Sequence, residues 1–275
     1  YTTRDTLSLH DALPICMART AKMNMIMHGD GHGGVHHRDG LLNVNGIFEN
    51  RFDVILTNPP FGSRVEKTLK ITLADKETNE EKIAEYEEKY GKEVYRKAMS
   101  QVNDNIGKSI LSLYDSGKLS GLTEVLFIER CLRLLKPGGR LGIVLPEGVL
   151  NTTQLQSVRE LFEGMAKIIL ITSIPQDVFM ASGATVKPSL MFFKKFTTEE
   201  VVQYEQAKAK AYEQVTAKYT DELTALNTFI ANKSNPRSEI KAKKAELKVL
   251  EAKIAEELKP IVKQLFDYPI PIAQV

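Results

Sequence analysis

With 275 residues, 43% hydrophobic and 26% charged, the chain can bury one sizeable core and carry an appendage. A formal net charge of +2 excludes a global positive field for nucleic acid, so any such contact must come from local patches or a partner. Cys16 and Cys131 lack metal-type spacing and give no disulfide framework, and no apolar stretch is long enough to span a bilayer.

The N-terminus lacks an apolar signal segment, which makes a cytoplasmic setting the default expectation. Residues 1–16 do not read as part of a fold. Within them, residues 5–15 resemble the peptide obtained when a sequencing adapter is translated, so His10 and Asp11 are left out of any catalytic pair. Residues 18–28 have a helical pattern, with Ala21, Met25 and Ile26 on one side. Residues 28–37 form a glycine-rich connection whose histidines are too loosely held for a metal site, and no metal is expected. Asp39-Gly40 reads as a turn. The apolar run 52–57 has strand character and ends in Asn58-Pro59-Pro60-Phe61. Two consecutive prolines remove two N–H donors and restrict both φ angles, so this turn is stiff. It sets a carboxamide, carbonyl oxygens and an aromatic ring at the carboxyl edge of a sheet, where open α/β sheets bind ligands. Such a turn suits a flat ring that bears an amino group.

Residues 62–121 are strongly polar and read as a solvated insertion of mixed charge, with helical patches near 83–92 and 94–102. Its Arg64, Lys67, Lys70, Lys92, Arg96 and Lys97 are available to phosphates. Val125, Ile128, Leu132 and Leu135 recur at helical spacing, and Lys136-Pro137-Gly138-Gly139 is expected to end that helix with a glycine cap. Residues 141–145 are apolar on both faces, as in a covered parallel strand. A helix over about 153–162, a strand over 167–172, a loop carrying Phe179 and Lys187, and a last apolar strand follow. After Phe196 the composition changes. Tyr212, Val215, Tyr219, Leu226 and Phe229, then Leu247, Leu250, Ile254 and Leu258, form heptad-like stripes. Lys233-Ser234-Asn235-Pro236 breaks the helix and offers Pro at a first helical position, so two helices packed as an antiparallel hairpin are expected.

Asn-Pro-Pro-[Phe/Tyr] after an apolar strand resembles the catalytic motif of S-adenosylmethionine-dependent amino-methyltransferases. The wider run from Phe52 to Gly62 resembles the adenine-methylating subunit of type I restriction–modification systems. The helix, Leu-Lys-Pro-Gly-Gly turn and apolar strand of residues 123–145 are similar to a unit of Rossmann-like methyltransferases. The resemblance implies an α/β fold: a partial Rossmann-like S-adenosylmethionine-dependent methyltransferase sheet with a C-terminal antiparallel helical hairpin. It divides the chain into a non-native segment 1–16, a partial catalytic domain 17–197 with the 62–121 insertion, and a hairpin arm and tail 198–275. Asn58, Pro59, Pro60 and Phe61 are implied as catalytic, and Asp39 as the acceptor for the amino group of the cofactor's adenine. Phe61, Phe179 and Lys187 are implied to line the cleft for the target base. For Asp39 a plain turn residue, and for Phe179 simple core packing, stay open.

The implied partners are double-stranded DNA with a flipped adenine, a DNA-specificity subunit and a restriction subunit, without a membrane. The family's Phe-x-Gly-x-Gly turn has no counterpart before Asp39, so a fragment lacking its upstream cofactor half is expected. Two further readings remain open: a protein-glutamine or RNA amino-methyltransferase, and a non-catalytic remnant whose helical arm binds a partner.

Overall fold

The computed structural model describes residues 12–29, 35–182, 186–232 and 236–274. The adapter-like residues 1–11, the middle of the histidine loop and the 233–235 turn therefore lie outside the described residues. Two compact units divide the chain at Phe196/Thr197, the second being Thr197–Pro269 and the first taking back the C-terminal tail from Ile270.

In the first unit, α1 (Ala12–Met27) begins inside the segment that the sequence sets aside. The apolar run forms β1 (Phe52–Thr57). Asn79 caps α2 (Glu80–Tyr90) by accepting the Lys82 N–H at 3.1 Å, and α3 (Lys92–Asn103) follows directly. Tyr95 and Met99 of α3 bury with Phe48 in one cluster. Ile71, Val102, Ile110, Leu111 and Tyr114 bury with Leu41, Leu42 and Leu126 in another. The 62–121 segment is thus not a solvated insertion. Its apolar residues sit on short helices and 3₁₀ turns among many charges, so no long periodicity reveals them.

A short α4 (Asp115–Leu119) leads to α5 (Thr123–Leu134). The glycines after α5 do not cap it, contrary to the expectation. Leu135 is already extended and donates its N–H to the Cys131 carbonyl, and it opens β2 (Leu135–Pro146). Lys136 precedes a proline and is confined to extended backbone, which carries the chain straight into the strand. Gly138, at φ +78°, lies where the β1–β2 register is irregular, between Phe52 and Val54. Beyond β2 come α6 (Glu147–Asn151) and α7 (Gln156–Glu163), where the sequence implied one helix, then β3 (Ala166–Ser173) and β4 (Pro188–Lys195).

The second unit holds α8 (Thr198–Thr216), α9 (Thr220–Ala231) and α10 (Arg237–Leu265). Thr197 and Glu200 cap α8 reciprocally, the side chain of each accepting the other's N–H at 3.1 and 2.9 Å. The first arm of the hairpin is broken by a 3₁₀ turn, Ala217–Tyr219. Val215, Leu226, Leu250 and Ile254 bury along the seam, whereas Tyr212, placed on the stripe by spacing, is 58% exposed. Pro236 occupies the cap of α10 rather than its first helical position.

The tail returns to the first unit as β5 (Ile272–Gln274), a strand that the sequence gave no sign of. The sheet runs in the order β1-β2-β4-β3-β5. β1 and β2 are parallel, β4 is antiparallel to both β2 and β3, and β5 is parallel to β3. Leu141, Ile143 and Leu145 of β2 are all but fully buried against Val125, Ile128 and Leu132 of α5 and Val158 and Phe162 of α7. Each such side chain contributes about 1.5–3 kcal/mol of burial. No helix among the described residues is long and apolar enough to cross a membrane.

Candidate active site at the carboxyl edge of the sheet

The strand directions determine what gathers at one edge. β1, β2 and β3 all end there, and the antiparallel β4 begins there. Asn58 to Phe61 leave β1 at this edge, Glu147 opens α6 after β2, Phe179 follows β3 and Lys187 precedes β4. Asn58 is exposed, Pro59 is buried, and Pro60 and Phe61 are half-buried. A buried ring in a stiff turn beside an exposed carboxamide holds that amide at the rim without a helix or strand to carry it.

The turn is fastened to the start of α5. Gly62 adopts φ +72°, and a Cβ there would meet nothing within 4 Å, so the backbone conformation and not crowding calls for glycine. Its N–H donates to Glu124 Oε1 at 3.4 Å. Thr123 donates its N–H to the Ser63 carbonyl at 3.0 Å, and Val65 donates to the Gly121 carbonyl at 2.8 Å. Glu124 is 3% exposed, and its Oε2 has no hydrogen-bond partner among the described residues. Burial pushes its carboxyl above the usual range, against the opposing pull of its own N–H, the Gly62 N–H and the charge of Arg64.

Two of the implied base contacts meet. Phe179 lies in the 3₁₀ turn Gln176–Ser182, and its ring stands edge-on to Phe61, with centroids 6.4 Å apart and planes at 87°. Lys187 joins the same edge from the other side. Its carbonyl accepts the Glu147 N–H at 3.0 Å and its Nζ lies 3.6 Å from Glu147 Oε1.

Asp39 is placed differently. Among the described residues no strand of the sheet precedes β1, so Asp39 does not end one. It stands in a turn, half-buried, with Oδ1 accepting the Leu41 N–H at 2.9 Å. Residues 40–47 are held by Arg130 of α5, which is 1% exposed. It donates to the carbonyls of Gly40 at 3.1 Å and Leu42 at 2.8 Å, and to Asn43 Oδ1 at 2.6 Å. The Tyr114 hydroxyl donates to the Leu41 carbonyl, and burial pushes that phenol up to about 12.

Sequence reasoning missed Glu124, Arg130 and Tyr114. A signal existed for two of them: Glu124 and Arg130 are ionisable residues inside the apolar stripe of α5, and a charge in a buried register needs a partner. No group of three metal-ligating side chains occurs among the described residues.

An α/β sheet that presents an exposed carboxamide, a proline-stiffened turn and two orthogonal aromatic rings at its carboxyl edge defines a protein that receives a flat polar ring. The chain belongs to the N-6 DNA methylase family, whose sequence model matches residues 14–252. No curated protein matches it. Similar solved structures include a chain of a type I restriction–modification system, at 26% identity, covering 63% of this chain and 27% of that one, with a TM-score of 0.39. The type I restriction enzyme EcoKI M protein is 20% identical over 66% of this chain and 29% of its own, with a TM-score of 0.37. A chain crystallised as a modification subunit of a type I restriction enzyme from Vibrio vulnificus YJ016 is 22% identical over 63% and 29%, with a TM-score of 0.41. The chain thus spans less than a third of the length of these relatives.

Proposed function

We propose that this chain carries the target-base half of an S-adenosylmethionine-dependent DNA adenine N6-methyltransferase, the modification subunit of a type I restriction–modification system acting in the cytoplasm. The proposed partners are double-stranded DNA with a flipped adenine, a DNA-specificity subunit and a restriction subunit. The observation that carries the reading is the meeting of the Phe61 and Phe179 rings, 6.4 Å apart, beside the exposed Asn58 at the sheet edge. The family match supports it.

An adenine amino group is a poor nucleophile because its lone pair is delocalised into the ring. Asn58 Oδ1 and the Pro59 carbonyl each accept one amino hydrogen, which favours a pyramidal nitrogen and stabilises the charge that develops on it. Phe61 stacks on the extruded base, a contact of roughly 1–3 kcal/mol, and this offsets part of the cost of unstacking it from the duplex. Phe179 fixes the Phe61 ring from its edge. Lys187, close to Glu147, lines the same cleft. Asp39 fits the amino group of the cofactor's adenine, since one of its oxygens is already fixed by the Leu41 N–H and its turn is locked through Arg130. S-adenosylmethionine supplies an electrophilic methyl group. The amino proton released on transfer leaves to water at the exposed rim.

The test is methyl transfer from labelled cofactor to DNA by the full polypeptide with its partner subunits. Asn58→Ala is expected to lower kcat about 10²–10³-fold, as for other removed transition-state acceptors or donors, with an unchanged circular dichroism spectrum. Turnover that survives this substitution overturns the assignment.

A further inference from the structure

A cavity of about 420 Å³ lies among the 38–45 loop, the segment around Glu77, and α2 and α3. None of the residues assigned above to the sheet edge lines it. Two of its lining side chains are more than nine-tenths buried and carry polar atoms with no hydrogen-bond partner among the described residues. They are the hydroxyl of Tyr95, 2% exposed, and Oδ1 of Asn45, 7% exposed. A buried acceptor left unpaired destabilises the fold until a donor reaches it.

The charges around the cavity are arranged in two layers. Glu77 and Glu87 line it with side chains only 12% and 16% exposed, while their partners Arg38 and Arg96 are 36% and 63% exposed. The carboxylates are the more enclosed groups and the guanidiniums the more solvated ones. Ile83, Met99 and Val102 add an aliphatic wall. Burial, with the charges of Glu77 and Glu87, pushes the Tyr95 phenol up to about 12, so the hydroxyl stays neutral and its lone pairs remain available. An enclosed carboxylate or phosphate would meet like charge here. The complementary group is a cation with several N–H donors on an aliphatic stem.

We infer that this cavity binds a primary ammonium carried on an aliphatic chain, with its N–H groups donating to Asn45 Oδ1 and the Tyr95 hydroxyl oxygen and its charge met by Glu77 and Glu87. The inference does not depend on the methyltransferase reading. Two sources supply this chemistry: a free polyamine, or the lysine side chain of another protein.

Isothermal titration of the full chain with cadaverine, spermidine and a blocked lysine (acetylated at Nα and amidated) tests it, with the five-carbon diol as the neutral control. Saturable binding of an amine is expected, weakening with added salt, and absent for the diol. Binding confined to the free amines identifies a polyamine, and binding confined to the blocked lysine identifies a protein side chain. Glu77→Gln and Tyr95→Phe should each weaken it about tenfold, the loss expected for one charge-assisted contact. Tyr95→Phe removes only a hydroxyl without a partner and keeps the ring, so its melting temperature should not fall, and it decides the matter if Glu77→Gln does not fold. No amine binding, equal binding of the diol, or unchanged affinity in Tyr95→Phe overturns the inference.

Discussion

Glu124 stands second in α5, with one carboxylate oxygen on the Gly62 N–H and the other without a partner among the described residues. The helix N-terminus favours its charge and burial opposes it, and burial wins. A raised folded-state pKa means that the native state holds this proton more tightly than the unfolded chain does. The penalty is absent below the ordinary glutamate value, grows as pH rises through the raised value, and stays constant above it. Glu124→Gln keeps an acceptor for Gly62 and removes the charge. The variant should therefore melt higher than the parent near neutral pH, by roughly 2–4 °C for each kcal/mol recovered. That gain should vanish below about pH 4. Calorimetry that finds the same difference at every pH would remove Glu124 as its cause. The residues of the turn itself were legible, because consecutive prolines and an aromatic after an apolar run have few other uses. Glu124 was not, since an acid in the first turn of a helix reads as ordinary capping.

Single elements show the same contrast between pattern and environment. The apolar stripe of α5 follows from spacing alone, and so does the alternation that buries Leu141, Ile143 and Leu145. The loop carrying Asp39 has no pattern of its own. Its conformation comes from one side chain, Arg130, placed ninety residues away in sequence from Gly40. Arg130→Met should cost about 3–5 kcal/mol, because it strands buried carbonyls and the Asn43 carboxamide rather than removing a charge alone. Hydrogen exchange should then speed up through residues 40–47 before it does in β2 or β4. Uniform acceleration across the first unit would show that Arg130 serves the core and not the loop. The 62–121 segment was misread for a related reason: its buried apolar residues are anchored by contacts distant in sequence, and its short elements give no 3.6-residue rhythm to find.

The whole molecule is two packing units, each with its own apolar cluster. Ile254→Ala, at the hairpin seam and 5% exposed, should destabilise the Thr197–Pro269 unit by about 2–5 kcal/mol. Its melting transition should move while that of the sheet unit stays in place. A single transition that shifts as one would contradict independent units. The boundary at Phe196 was readable from the change in composition, whereas the return of the tail as β5 was not, since three residues carry no period.

The sheet order also dictates a sequence of events in time. β3 meets β4 through a connection of only fourteen residues, and β2 joins them by another antiparallel pairing. β1 must find β2 from far along the chain, where Phe52 pairs with Leu135. Closing that long loop draws on interactions already made elsewhere. Pulse-labelled exchange during refolding should accordingly protect β3 and β4 before β1, and simultaneous protection would refute this order. The strand that delivers Asn58 is then the last to be secured, and the chain attains its chemistry only after most of its architecture already stands.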